Sequence, residues 1–231
     1  MSDKPMLFGV GVGPGDPELL TLKAVRTIER CEAIAVPRTA RGATVALDIV
    51  RGAVDLAGKE IVYLDFVMSR DPKVVAQGHC DAAGKIVAQL ERGRDVAMLN
   101  LGDVSIYATY SRMKELVEEA GYSTCRIPGV PSFCAAAALL DVDLTPQMSA
   151  PLHIVPAGWG DLSGALQLEG TKVVMKAGSD LPALKEELRR TGRYEDAMLV
   201  RNCGLPGQSV AYSLDDAEDE GGYFATMVVR S

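Results

Sequence analysis

The chain has 231 residues, 48% of them hydrophobic, and a formal net charge of -7. That length suits one large or two small globular domains, since single cores stop growing as chains near ~250 residues. The acidic balance argues against duplex nucleic acid as a partner, because such binders carry a broad basic footprint.

Five cysteines, Cys31, Cys80, Cys125, Cys134 and Cys203, form no C-x-x-C pair and read as mostly buried thiols in a reducing compartment. The start of the chain lacks a signal-peptide pattern. The longest apolar run, residues 133–140, falls well short of the ~20 residues a membrane-spanning helix needs. No membrane association is expected, and a cytoplasmic location is.

Short apolar runs alternate with amphipathic ones through the first half, which predicts an α/β fold. The expected order is a strand at 6–12, a helix at 19–30, a strand at 33–36, a helix at 44–50 and a strand at 61–64. A helix at 73–92 ending at Gly93, a strand at 95–101, a helix at 105–120 stopped at Gly121 and a strand at 124–127 follow. Five strands with helical crossovers imply a parallel sheet, with ligands at the C-terminal ends of its strands.

The run Pro128-Gly129-Val130-Pro131-Ser132 breaks this pattern before a small-residue helix ending at Leu140. Strands at 152–155, 171–176 and 197–200 and a helix at 181–190 are expected beyond it. The last two strands, 209–213 and 223–229, flank an acidic connection and read as a hairpin, giving a mixed sheet. The boundary falls near residue 130, dividing an N-terminal α/β domain (1–130) from a C-terminal α/β domain (131–231).

Three turns at strand ends draw the eye to chemistry. The first, Gly9-x-Gly11-x-Gly13-Pro14-Gly15-Asp16, is not a dinucleotide fingerprint, because G-x-G-x-x-G fails in every register. No Walker A loop is present. Asp16 and Glu18 would repel a phosphate from the following helix start, so NAD and ATP are excluded. A purely structural alternative is a tight turn with Asp16 as a cap and Pro17 at the first helical position. In the second turn, Gly102 permits a close backbone approach, and Asp103 or Ser105 could cap the next helix. The third is the Pro-Gly-x-x-Ser turn at 128–132.

In order, GxGPGDxxLLTLKA (Gly11 to Ala24), GDxSIY (Gly102 to Tyr107) and PGxxSF (Pro128 to Phe133) resemble the tetrapyrrole methylases, the class III S-adenosylmethionine-dependent methyltransferases. Further marks are VVMKAG (173–178), LVRNCG (199–204) and FATMVV (224–229), so the similarity runs through the whole chain. The segments DFVMSRD (65–71) and LGDVSIYATYSRM (101–113) are most similar to the branch that methylates C-20 of precorrin-2 or cobalt-precorrin-2. Pro37 stands where the uroporphyrinogen-methylating branch has an acidic residue, which weighs against that branch.

The resemblance implies two α/β domains with a cofactor cleft between them, S-adenosylmethionine as methyl donor, a tetrapyrrole substrate and a homodimer. Carried over by position, Pro14, Leu101, Gly102, Asp103, Ile106, Pro131, Ser132, Ala177, Cys203, Ala225 and Thr226 would surround the donor. Ala177 and Cys203 depart from residues found in relatives, so backbone contacts are expected there. No general base is assigned. Arg38, Arg41, Arg70 and Lys73 follow strand ends and would pair with substrate carboxylates, for which guanidinium geometry is well suited.

Other candidates carry less. His79 and His153 have no second ligand at metal spacing, so no metal site is expected. Ser132 has no Ser/His/Asp partners. Trp159 reads as a loop or core aromatic, and the acidic run 215–220 as a solvated loop. Alternatives left open are another precorrin or uroporphyrinogen methyltransferase, diphthine synthase, or a corrinoid or S-adenosylmethionine sensor without turnover.

Overall fold

The structure, a computed structural model, describes residues 4–38, 42, 44–67, 69, 71–158, 160–219, 222 and 224–230. The chain folds as two compact units, Met1–Pro131 and Ser132–Ser231. No helix among the described residues is long and apolar enough to cross a membrane.

The first unit holds strands β1 (Met6–Gly11), β2 (Ala33–Arg38), β3 (Glu60–Asp65), β4 (Val96–Asn100) and β5 (Ser123–Ile127). Every pairing is parallel and the spatial order is β3-β2-β4-β1-β5. Helices α1 (Leu22–Arg30), α2 (Val45–Arg51), α3 (Pro72–Leu90) and α4 (Tyr110–Glu119) supply the crossovers. Leu7, Ala35, Leu64, Val96 and Met98 on one sheet face pack with Ile86, Leu90, Met113 and Val117 of α3 and α4. β1 and β4 are buried almost throughout because both faces are covered, which is why they read as apolar runs rather than alternating ones.

Two helix starts differ from expectation. Pro17–Leu19 is a 3-10 turn capped by Asp16, and α1 begins afterwards with Thr21 as its cap, accepting from the Ala24 N–H at 3.1 Å. The capping role expected of Asp16 therefore holds, for a shorter element. The helix expected from residue 105 begins only at Tyr110. Tyr107 has φ +48°, a left-handed conformation that a helix cannot include, so 101–109 stays a loop.

The second unit contains α5 (Ser132–Leu140), β6 (Leu152–Pro156), α6 (Leu162–Gln167), β7 (Thr171–Met175), α7 (Leu181–Arg190), β8 (Ala197–Arg201), β9 (Ser209–Ala211) and β10 (Ala225–Val229). Its mixed sheet has the order β6-β7-β10-β8-β9, with β6 and β7 parallel and the other pairs antiparallel. The expected hairpin of the last two strands does not form. β9 pairs with β8, while β10 inserts between β7 and β8. All five β10 residues are buried, so the strand needs cover on both faces and neighbours on both edges. Short, half-exposed β9 suits the rim.

The acidic connection is not simply solvated. Leu214 and Ala217 pack into the core beside α7, and three side chains hold the segment around them. Lys185 Nζ donates to Ala217 O at 2.7 Å and Asp219 Oδ1 at 2.8 Å, Tyr194 OH donates to Asp215 Oδ1 at 2.8 Å, and Arg201 donates to Glu218 O. The sequence reading saw the charges but not these distant partners. Of the five cysteines expected to be mostly buried, only Cys31 is.

Lys172 of β7 is fully buried, and its Nζ has no hydrogen-bond partner among the described residues. Burial pushes its amine below the ordinary lysine value, Arg193 pushes it further down, and Asp196 opposes. The unfolded chain thus holds this proton more tightly, and stability rises with pH between the lowered value and the ordinary one. Lys172→Met is expected to stabilise the protein by about 1–3 kcal/mol and to remove that alkaline rise. Thermal unfolding of both proteins from neutral to alkaline pH measures it.

Candidate functional site

In the first unit the chemistry-bearing turns gather where β1 and β4 run side by side. Crossovers from these neighbours leave in opposite directions, β1 towards β2 and β4 towards β5, and such a switch point opens a crevice at strand C-terminal ends. Here three loops meet at that end of the sheet. Gly13 and Gly102 form an isolated antiparallel bridge, the Gly13 N–H donating to Gly102 O at 3.2 Å and the Gly102 N–H to Gly13 O at 2.8 Å. A Cβ on Gly11 would lie 2.6 Å from Gly129 N and 2.8 Å from Gly102 O. Three loops, after β1, β4 and β5, therefore touch backbone to backbone, and side chains are excluded from the contact.

Asp103 ties two of these loops together. Its Oδ1 accepts from the Ser105 N–H at 2.8 Å and from the Ser105 hydroxyl, and its Oδ2 accepts from the Gly129 N–H at 2.8 Å. Burial by itself would raise this carboxyl, but the bonds from Ser105, Gly129 and Val104 outweigh it and hold the group below the usual carboxylate range. Asp103 is thus a fixed, buried anion. The expected capping of α4 by Asp103 or Ser105 is replaced by this turn inside the loop. Around it Pro14 and Gly102 are buried, and Leu101 and Ile106 are half-buried.

In the second unit another set converges by strand order. Because β10 lies between β7 and β8, the start of β10 meets the ends of both neighbours. Thr226 pairs in register with Met175 and Val200, and the Asn202 N–H donates to Phe224 O at 2.7 Å. Ser132, at the first turn of α5, lies with Oγ 3.5 Å from Thr226 Oγ1. Ser132, Ala225 and Thr226 are thereby brought together, with Ala177 just past β7 and Cys203 just past β8. Ala177, Ala225 and Thr226 are buried, whereas Ser132 and Cys203 are half-buried, as is Pro131 at the end of the first unit. Lys176 (φ +59°) and Asn202 (φ +48°) are left-handed non-glycine residues beside this set, and such strain gathers at functional sites. Sequence reasoning missed that pair, since composition carries no mark of backbone strain.

The candidate substrate residues divide differently. Arg38, at the end of β2, is engaged with Asp65 at 2.7 Å. Lys73 sits exposed in the first turn of α3, its backbone N–H on Asp71. Arg41 and Arg70 lie outside the described residues, as does Trp159. His79 stacks edge-on against Phe66, and His153 bonds Glu169 O. Among the described residues no group of three or more His, Cys, Asp or Glu is placed to hold a metal.

A parallel α/β unit with backbone-lined turns, followed by a mixed-sheet unit, defines a two-unit α/β protein. The model of the tetrapyrrole (corrin/porphyrin) methylases matches residues 6–217, and the chain belongs to that family. It is 29% identical to cobalamin biosynthesis protein CobIJ of Mycobacterium tuberculosis over 99% of this chain and 46% of that protein. The chain thus spans about half the length of the first curated relatives it matches. It is 33% identical to a probable cobalt-precorrin-2 C(20)-methyltransferase of Methanocaldococcus jannaschii, covering 74% of this chain and 71% of that one. It is 28% identical to the cobalt-precorrin-2 C(20)-methyltransferase of Salmonella typhimurium over 97% and 95%.

Solved structures share the fold. A cobalt precorrin-4 methyltransferase superposes with TM-score 0.78 at 19% identity, covering 97% of this chain and 94% of that one. The uroporphyrin-III C-methyltransferase of Thermus thermophilus, complexed with S-adenosylhomocysteine, gives 0.72 at 21% identity over 98% and 97%.

Asp103→Asn tests the loop clamp. Either amide orientation points an NH2 at a backbone N–H, of Ser105 or of Gly129, leaving donors opposed. The variant is expected to lose about 1–3 kcal/mol at neutral pH. Because the folded carboxyl titrates below its ordinary value, its contribution is present above that value and is lost as pH falls through the folded one. Acid unfolding curves of the variant should lack this component.

Proposed function

We propose that this chain transfers the methyl group of S-adenosylmethionine to C-20 of precorrin-2 or cobalt-precorrin-2 in corrin synthesis. The observation that carries the reading is near end-to-end similarity to the Salmonella C(20)-methyltransferase, 97% of one chain against 95% of the other. The M. jannaschii relative supports the same position. Pro37, beside Arg38 on β2, offers no side-chain acid where the uroporphyrinogen branch has one.

The donor fits the residues present. Its carboxylate, ammonium and sulfonium sum to a net positive charge, and the first-unit set contains a fixed anion, Asp103, and no cation. A phosphate ligand would meet Asp16 and Glu18 instead. Pro14, Leu101, Gly102, Asp103 and Ile106 in one unit and Ser132, Ala177, Cys203, Ala225 and Thr226 in the other are proposed to contact the donor, with Pro131 between the two sets in sequence. The bound donor supplies an electrophilic methyl group, so the protein's work is to hold two partners in line; such placement can lower a barrier by ~7–11 kcal/mol. Arg38, Arg41, Arg70 and Lys73 are proposed to pair with substrate carboxylates. A cytoplasmic homodimer completes the proposal, and light scattering at micromolar concentration should show twice the chain mass.

The decisive measurement is product NMR with isotopically labelled methyl donor under anaerobic conditions, offering precorrin-2, cobalt-precorrin-2 and uroporphyrinogen III. Label is expected on C-20 of one precorrin-2 form. Label on C-2 or C-7 of uroporphyrinogen III alone would overturn the position and leave methyl transfer standing. Calorimetry should show binding of S-adenosylmethionine and S-adenosylhomocysteine, and none of NADH or ATP.

A further inference from the structure

At the rim of the first sheet, three charged side chains and a tyrosine form one assembly. Arg38 and Asp65 are in register as the last residues of the parallel strands β2 and β3. Arg38 Nε donates to Asp65 Oδ1 at 2.8 Å, and its Nη2 lies 2.7 Å from the same oxygen. The other oxygen of Asp65 lies 3.3 Å from Lys85 Nζ, which reaches round from α3. Lys85 also donates to Tyr63 O at 2.9 Å, covering a carbonyl that edge strand β3 would otherwise leave open. The Arg38 guanidinium stands over the Tyr63 ring, 5.1 Å from its centroid.

Two features separate this assembly from an ordinary surface ion pair. One carboxylate serves two cations, so the group keeps a net positive charge at the strand C-terminal ends, where a parallel sheet meets its ligands. The guanidinium is also restrained from two directions, by the Asp65 carboxylate and by the Tyr63 face. An arginine already held in one orientation loses less freedom when a ligand carboxylate arrives. Arg38 bonding draws the Asp65 carboxyl below its usual range, with Lys85 adding to the effect.

We propose that Asp65 is a positioning residue for the tetrapyrrole: it aims the Arg38 guanidinium at a peripheral substrate carboxylate, and Lys85 braces it from behind. This rests on the reading that Arg38 pairs with a carboxylate of the substrate. Asp65 itself does not touch substrate, and its effect is on recognition rather than on methyl transfer.

Steady-state kinetics of the full chain with its tetrapyrrole, at saturating methyl donor, provide the test. Asp65→Asn keeps the size and one acceptor but removes the charge. It is expected to raise KM for the tetrapyrrole about five- to tenfold, leave kcat within about twofold, and leave the calorimetric Kd for S-adenosylmethionine unchanged. Asp65→Glu should recover part of the loss, and Lys85→Met should raise KM in the same direction by less. The Arg38→Ala and Asp65→Asn double variant should be no worse than Arg38→Ala alone, because Asp65 acts through Arg38. Raised KM in Arg38→Ala with none in Asp65→Asn or Lys85→Met overturns the positioning role and spares the substrate role of Arg38. An unchanged KM in all three overturns both. Absence of tetrapyrrole turnover by the unaltered protein overturns the proposed function and this proposal with it, whatever the variants do.

Discussion

Close backbone contact among three loops is the constraint on which the first unit's site depends. Gly11, Gly102 and Gly129 meet where the loops after β1, β4 and β5 pass over the sheet, and a Cβ on Gly11 or Gly129 would overlap a neighbouring loop's backbone. Absence of side chains lets the loops approach, but it leaves nothing apolar to hold them. Asp103 supplies the missing bond, one oxygen on its own loop and the other on the loop that carries Gly129. Because bonds to the ionised form outweigh burial, the same carboxylate that fastens the loops is a standing negative charge. Architecture and electrostatics are then one feature, and the methyl donor proposed to bind there carries the complementary net charge.

The second unit reaches its site by another route. Its convergence is a matter of strand order: β10 enters last and runs antiparallel between two earlier strands, so its first residues meet the ends of β7 and β8. The connection leading to β10 is held by Lys185, Tyr194 and Arg201. These side chains fix the segment that delivers Ala225 and Thr226 to the sheet, so polar groups on other elements contribute to the placement of the candidate set.

Most of the element sequence was legible because local rules and tertiary demands agree. Apolar runs doubly covered by helices became β1 and β4, and α7 runs over the residues its periodicity marked, with Asp180 at its start and Gly192 beyond its end. The failures have separate physical causes. The hairpin of β9 and β10 was inferred from neighbourhood in sequence, but a five-residue strand buried on both faces gains more by entering the middle of a sheet than by pairing at its rim. The start of α4 was placed too early because nothing in the side-chain pattern marks the left-handed Tyr107. The acidic connection looked solvated because its partners are 17 to 34 residues away.

The sequence by itself determined the family, through three turn motifs whose residue types are forced by backbone geometry: glycine where loops touch, proline and aspartate where a helical turn begins. The three turns themselves were found locally, since a strand end can be recognised from the runs that flank it, whereas the residues proposed around the donor came from the family resemblance. Only the tertiary structure decided what Asp103 and Arg38 bond to. Asp103 turns to Gly129, 26 residues away, and Arg38 to Asp65, 27 residues away. Such pairings follow from strand register and sheet order, which are set by the burial of whole faces at once and leave no local signature in the chain.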